Sequence, residues 1–275
     1  MFDFWIILTA CIIAINSSLL GSFLVLKKMS LITDALSHAV LPGIVIAFLI
    51  SGEINSFWML ISASIFGVLS IIIIDWLNNV GGYSKDSAIG IIYTLLFAVG
   101  IILITSKARN SDIDVECVLF GDINTVPIIK NPLGIPTPTF NLSIILFVVS
   151  LIMYYGIKGF KISSFDKNYA SSIGVSVTFW SYLLLSLTSI STVFSFDSVG
   201  AIMVIGLMVI PPSFANLITR KLSVFLISAV LFGVFCCIIG HLIAILIDIP
   251  TVPTICVLMG IILVLTVILK SIKQS

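Results

Sequence analysis

Asp34 and His38 stand four residues apart in the run Lys27-Lys-Met-Ser-Leu-Ile-Thr-Asp-Ala-Leu-Ser-His-Ala-Val-Leu-Pro-Gly43. On a helix that spacing puts both side chains on one face. A carboxylate oxygen beside an imidazole nitrogen is half of a divalent-metal site of the mixed oxygen and nitrogen kind. Each residue also has a plainer use. Asp34 can cap the helix that follows and pair with Lys28, and His38 alone is more often an interior, hydrogen-bonded histidine. What sharpens the chemical reading is the apolar setting, where ionisable groups demand a reason.

The elements that must position this pair are membrane helices. Of the 275 residues, 60% are hydrophobic and 9% charged, with a mean hydropathy of +1.29. Soluble domains carry about 25% charged residues, so the chain reads as an all-α, polytopic membrane protein forming one permease-like domain over 1–275. Measured against ~20 apolar residues per crossing, nine runs qualify: 4–26, 34–51, 57–75, 88–106, 139–157, 176–194, 200–218, 223–247 and 254–270. The first lacks a preceding positive segment and is expected to be a retained span. An outside N-terminus leaves 10 basic residues on inner loops and 3 (Lys107, Arg109, Lys130) on outer ones, which together make up all 13; the positive-inside rule favours that orientation. Eight acidic residues, among them Asp3, Glu53, Glu116, Asp122 and Asp248, then fall outside, where they would concentrate cations.

Several chemistries are missing. The chain has no G-x-x-x-x-G-K nucleotide loop, no H-E-x-x-H zinc motif and no G-x-S-x-G elbow. A net charge of +1 without a basic block gives no reason to expect a nucleic-acid partner. The five cysteines form no C-x-x-C pair and read as packing residues. Asp34 and His38 are the two ionisable residues read as lying in mid-span. Any transport along them therefore needs energy from another subunit, unless the pair relays protons in a secondary carrier.

Two loops exceed what a turn requires. The outer stretch 107–138 contains Glu116 and Asp122, candidates to guide ions inward, and its amphipathic middle is expected to form a short helix at the membrane surface. The inner stretch carries Ser163, Ser164 and Asp166 as helix starters and Gly174 as a stop, predicting a short amphipathic helix over about 163–174. Pro211 and Pro212 interrupt the seventh run, as a kink or as a break with freed carbonyls. Asp197 is read as a turn former between the sixth and seventh runs.

Three stretches together resemble the membrane permease subunit of the metal-ion ABC importers (ABC-3 type), which bring manganese, zinc or iron into bacteria. The first, Gly21 to Gly43, follows a family pattern of G-x-F-x-V-L, two basic residues, Met, Ser or Ala, then L-x-x-D-A, Leu or Ile, and S-H-A-x-L-P-G. The second, Ser164-Phe-Asp-Lys-Asn-Tyr-Ala-Ser-Ser-Ile-Gly174, is similar to the family's cytoplasmic coupling helix. The third is Val199-Gly-Ala-Ile-Met-Val-Ile-Gly-Leu-Met-Val-Ile-Pro-Pro-Ser-Phe-Ala215, followed by Asp248-Ile-Pro.

The resemblance implies a fold related to the vitamin B12 and siderophore importers, less their first helix. It also implies a transported divalent metal, no permanently bound cofactor, and no catalysis in this chain. The implied partners are a cytoplasmic ABC ATPase dimer, a second permease subunit, like or unlike, and an extracytoplasmic metal-binding protein. The membrane would be the bacterial cytoplasmic one. Asp34 and His38 become metal ligands, completed by a second pair across a dimer axis; zinc and manganese both accept such a set. Phe165, Asp166, Ala170 and Gly174 become the ATPase-coupling residues. His241 is a weaker metal candidate, because the family more often has serine there.

Overall fold

A computed structural model of the chain describes residues 2–51, 57–107, 123–128, 131 and 134–274. Their long elements are all helices: α1 (Phe2–Leu26), α2 (Leu31–Ala39), α3 (Leu41–Ser51), α4 (Phe57–Gly81), α5 (Lys85–Lys107), α6 (Thr137–Phe165), α7 (Lys167–Ser172), α8 (Val177–Ile218), α9 (Leu222–Ile247) and α10 (Thr251–Gln274). Among the described residues nine segments are long and apolar enough to cross a bilayer. They are α1, α2 with α3, α4, α5, α6, the two arms of α8 (Val177–Phe196 and Ser198–Ile218), α9 and α10. This agrees with the nine runs read from the sequence, with three shifts. The second span starts at Leu31, so Asp34 lies inside α2, and Ser30 occupies the cap position without a side-chain bond. The capping role considered for Asp34 is therefore wrong. The third span runs on to Gly81 and encloses Asp75, an ionisable group that the sequence reading put at the span's edge.

The remaining shift concerns the prolines. Pro211 and Pro212 sit within a continuous arm of α8, and the backbone leaves helical geometry at Gly200 instead (φ 73°, ψ 169°). There the chain folds back on itself, since Thr192 Oγ1 reaches Met208 Sδ at 3.8 Å across the hairpin. Asp197 thus precedes the reversal. Pro212 has no N–H for the carbonyl of Met208, and that carbonyl is met by the bare Cα face of Gly21 on α1.

Lipid tails offer helices no hydrophobic drive to associate, so close packing and polar contacts must do it. The central helix α1 shows both. Its buried face carries Thr9, Asn16, Ser17, Ser18 and Ser22. Thr9 and Thr139 hydroxyls meet at 2.7 Å, and Asn16 Nδ2 donates to Ser191 Oγ at 2.5 Å. Two apolar clusters flank this seam. One gathers Ile13, Val199, Leu207, Cys236 and Cys237 at the end holding the N-terminus; the other gathers Leu24, Leu36, Ile74, Ile89 and Phe160 towards the opposite end. Cys11, Cys236, Cys237 and Cys256 form no disulfide among the described residues, in keeping with packing roles.

Candidate metal path and coupling helix

The interior face of α2 is Ile32, Thr33, Ala35, Leu36, Ser37 and Ala39, all buried. That pattern leaves Asp34 and His38 together on the outward face. Their side chains are 53% and 28% exposed, and Asp34 Oδ1 lies 3.9 Å from His38 Nε2. This is too long for a hydrogen bond. Ligands side by side on one metal at ~2.1 Å stand roughly 3 Å apart, so a small rotation of either side chain would close the pair on an ion. The imidazole is held by two aromatic rings of α5, Tyr93 at 5.6 Å and Phe97 edge-on at 5.1 Å. Its Nδ1 is buried and makes no hydrogen bond. Just beyond, Pro42 has no N–H to offer the His38 carbonyl, and α2 gives way to α3 around Val40.

No group of three or more His, Cys, Asp or Glu able to hold a metal occurs among the described residues. Asp34 and His38 thus stand as a pair, the carboxylate half-exposed and the imidazole packed on α5. His241 belongs elsewhere. It is buried near the far end of α9, with Nδ1 3.4 Å from Thr251 Oγ1 and Nε2 4.0 Å from Asp3 Oδ1. The structure does not bring it to Asp34 and His38. Glu116, Asp122 and the expected surface helix between them lie outside the described residues.

The predicted inner helix is present but shorter than 163–174. Ser163 lies inside α6, its hydroxyl bonded to the carbonyl of Phe160 at 3.2 Å. The start signal that acts is Asp166, which ends α6 and caps α7, accepting from the N–H of Tyr169 at 2.9 Å. Gly174 provides the stop at φ 78°. The N–H groups of Gly174 and Val175 donate to the carbonyls of Ser171 and Ala170 at 3.2 and 2.9 Å, a Schellman end. Ala170 is fully buried. Asp166, Ala170 and Gly174 therefore shape and seat the helix. Exposed at this segment are Phe165 at the end of α6, then Asp166, Asn168, Tyr169, Ser171, Ser172, Ile173 and Gly174, of which Phe165, Tyr169 and Ile173 are the large apolar ones. Sequence reading did not single out Tyr169 and Ile173, the exposed apolar residues beside the cap and stop that it did find.

Two further contacts lie at this end of the bundle. Tyr182 Oη donates to Asp75 Oδ2 at 2.5 Å, and Lys27 Nζ donates to Ser181 Oγ at 2.8 Å. They line a cavity of about 240 Å³ that also takes in Asn79, Lys85 and Thr178. Asp75 went unnoticed because it closes the apolar run Ile71–Ile74 and was read as a span boundary.

The profile of the ABC 3 transport family matches residues 1–270. The chain belongs to that family. Among relatives of this ABC 3 chain, "Manganese transport system membrane protein MntD" of Bacillus subtilis is 36% identical over 248 residues, covering 88% of this chain and 83% of the relative. "Zinc transport system membrane protein TroD" of Treponema pallidum is 35% identical over 209 residues, covering 75% of this chain and 57% of the relative. Among solved structures, PsaBC from Streptococcus pneumoniae in complex with Fab superposes with a TM-score of 0.81 at 29% identity, over 97% of this chain and 91% of that one. The ABC 3 protein is thus a multi-pass membrane permease of an ABC importer, and the proton-relay alternative falls away.

Proposed function

We propose that this permease carries a divalent metal ion of the manganese, zinc and iron group across the membrane, past Asp34 and His38. The observation that carries the reading is the outward-facing pair itself. A carboxylate half-exposed within a membrane span is costly against lipid, and costs least where a second permease subunit covers it. The partner's own Asp–His pair would then complete a four-ligand site of two carboxylates and two imidazoles. Such a site binds through side chains that must first rotate inward, which suits an ion that has to be released again.

Energy in this reading comes from two cytoplasmic ATPases, each gripping an α7 through Phe165, Tyr169 and Ile173. An extracytoplasmic binding protein supplies the metal. The basic residues around α7 and in the turn after α1 favour this end as cytoplasmic and the N-terminus as outside, in the bacterial cytoplasmic membrane. No resident cofactor is called for, and the chain itself is not expected to be an enzyme.

The test is ATP-driven uptake of manganese and zinc into vesicles holding the assembled complex, comparing wild type with Asp34→Ala and His38→Ala. The expected result is loss of uptake with ATPase assembly intact, and the wild-type preference names the ion. Unchanged uptake in both variants would remove the pair from the path.

A further inference from the structure

We propose that Ser181 and Tyr182 are positioning residues that carry movement of α7 to both walls of the metal site. This rests on the proposed function, in which α7 is the ATPase docking element. The argument begins with rigidity. Beyond the Schellman end of α7, Ser176 caps α8, accepting from the N–H of Phe179 at 3.3 Å. One turn on, Trp180 packs against Gly156 and Gly159 of α6, so close that a Cβ on Gly159 would stand 2.2 Å from the indole. The same indole meets Phe160 edge-on at 4.9 Å, and Phe160 meets Phe23 of α1 at 5.5 Å. The end of α6, all of α7 and the first turn of α8 therefore form one block, wedged by Trp180.

The next two residues leave that block in two directions. Ser181 accepts from Lys27, at the head of the turn that leads into α2 and so to Asp34 and His38. Tyr182 donates to Asp75 on α4, which Asn79 also approaches at 3.1 Å. Helix α4 turns directly into α5, where Tyr93 and Phe97 hold the His38 ring, and Asn78 secures that turn by donating to the carbonyl of Tyr83 at 2.7 Å. One hydrogen bond thus addresses the helix bearing the ligands, and its neighbour addresses the aromatic wall behind them. Both border the same cavity, so water can enter when either bond opens and the block shifts. A hydrogen bond to a carboxylate is among the stronger side-chain links available here, and Tyr182 supplies it through its one hydroxyl.

The test uses the whole complex in proteoliposomes, with manganese uptake and ATP hydrolysis measured side by side. Tyr182→Phe keeps the ring and removes the donor. Metal moved per ATP is expected to fall about fivefold or more, while hydrolysis and the melting temperature of the complex stay near wild type. Asp75→Asn retains an acceptor for the tyrosine and is expected to lose less. Tyr154→Phe, an exposed tyrosine of α6, is expected to match wild type. An unchanged ratio of metal to ATP in Tyr182→Phe overturns the proposal. So does a parallel fall in uptake, hydrolysis and melting temperature, which would mark a purely structural contact. Absence of ATP-driven uptake in the wild type would instead defeat the proposed function, and this inference with it.

Discussion

The carbonyl oxygen of Met208 lies so near Gly21 that a Cβ added there would stand 2.0 Å from it. That oxygen is the one Pro212 cannot satisfy from within α8. The α1 backbone closes over it in a Cα–H···O approach of the kind that recurs where helices touch. A proline that removes a bond on one helix and a glycine that admits the other helix are thus halves of one contact.

Gly21→Ala is accordingly expected to force α1 and α8 apart, costing about 3 kcal/mol or more. Gly90→Ala, on α5 with nothing near its Cα, is expected to be neutral or slightly stabilising. Thermal melting of the purified complex in detergent distinguishes the two. Equal melting temperatures would show that the interface has slack.

Gly200 takes φ 73° and ψ 169° at the hairpin tip, a region that residues with a Cβ scarcely enter. Gly200→Ala is expected to cost ~1–3 kcal/mol and to lower the yield of folded protein. Limited proteolysis of membranes would report this as faster cleavage near the tip.

His38 depends on its aromatic wall for orientation. Phe97→Ala is expected to weaken metal affinity roughly tenfold, as losses in the layer around ligands do. It should do so without altering the maximal rate by a similar factor. The half-saturating manganese concentration for uptake is the quantity to follow.

In the proposed function, the shape of α7 and its grip on the ATPase fall to different residues. Tyr169→Ala is expected to weaken ATPase binding by ~2 kcal/mol, roughly thirtyfold. Asp166→Ala loses only a cap, about 1 kcal/mol of local helix stability. Co-purification of the ATPase at graded salt should rank the two in that order, and the reverse ranking would return Asp166 to the contact surface.

His241→Ser is expected to leave uptake within about twofold of wild type, since the side chain is engaged with Thr251 and faces Asp3. A fall of an order of magnitude would make it part of the route.

Sequence and structure agree where a pattern repeats along many residues. Apolar length gave nine crossings, and the four-residue spacing placed Asp34 and His38 on one face, because both follow from helix geometry alone. Agreement failed where a single residue decides. The reversal at Gly200 looked like a loop centred on Asp197, since helical runs on both sides gave no hint of a positive φ. The paired prolines left a kink and a break equally open, because the glycine that accommodates them lies some 190 positions earlier in the chain. Asp75 was invisible as an interior group until Tyr182, more than 100 residues away, could be seen beside it.

The hairpin of α8 also bears on how the protein reaches its membrane. Its arms are joined with almost no intervening residues, and the first is the least apolar of the nine spans, rich in Thr188, Ser189, Ser191, Thr192 and Ser195. Alone in lipid, that arm would expose a row of hydroxyls. Joined at Gly200 to its more apolar companion, it can leave the insertion machinery as a folded pair, with α1, already synthesised, waiting to receive its polar face. Biogenesis would then proceed by hairpins and not by single crossings, and the order of synthesis would matter as much as the final packing.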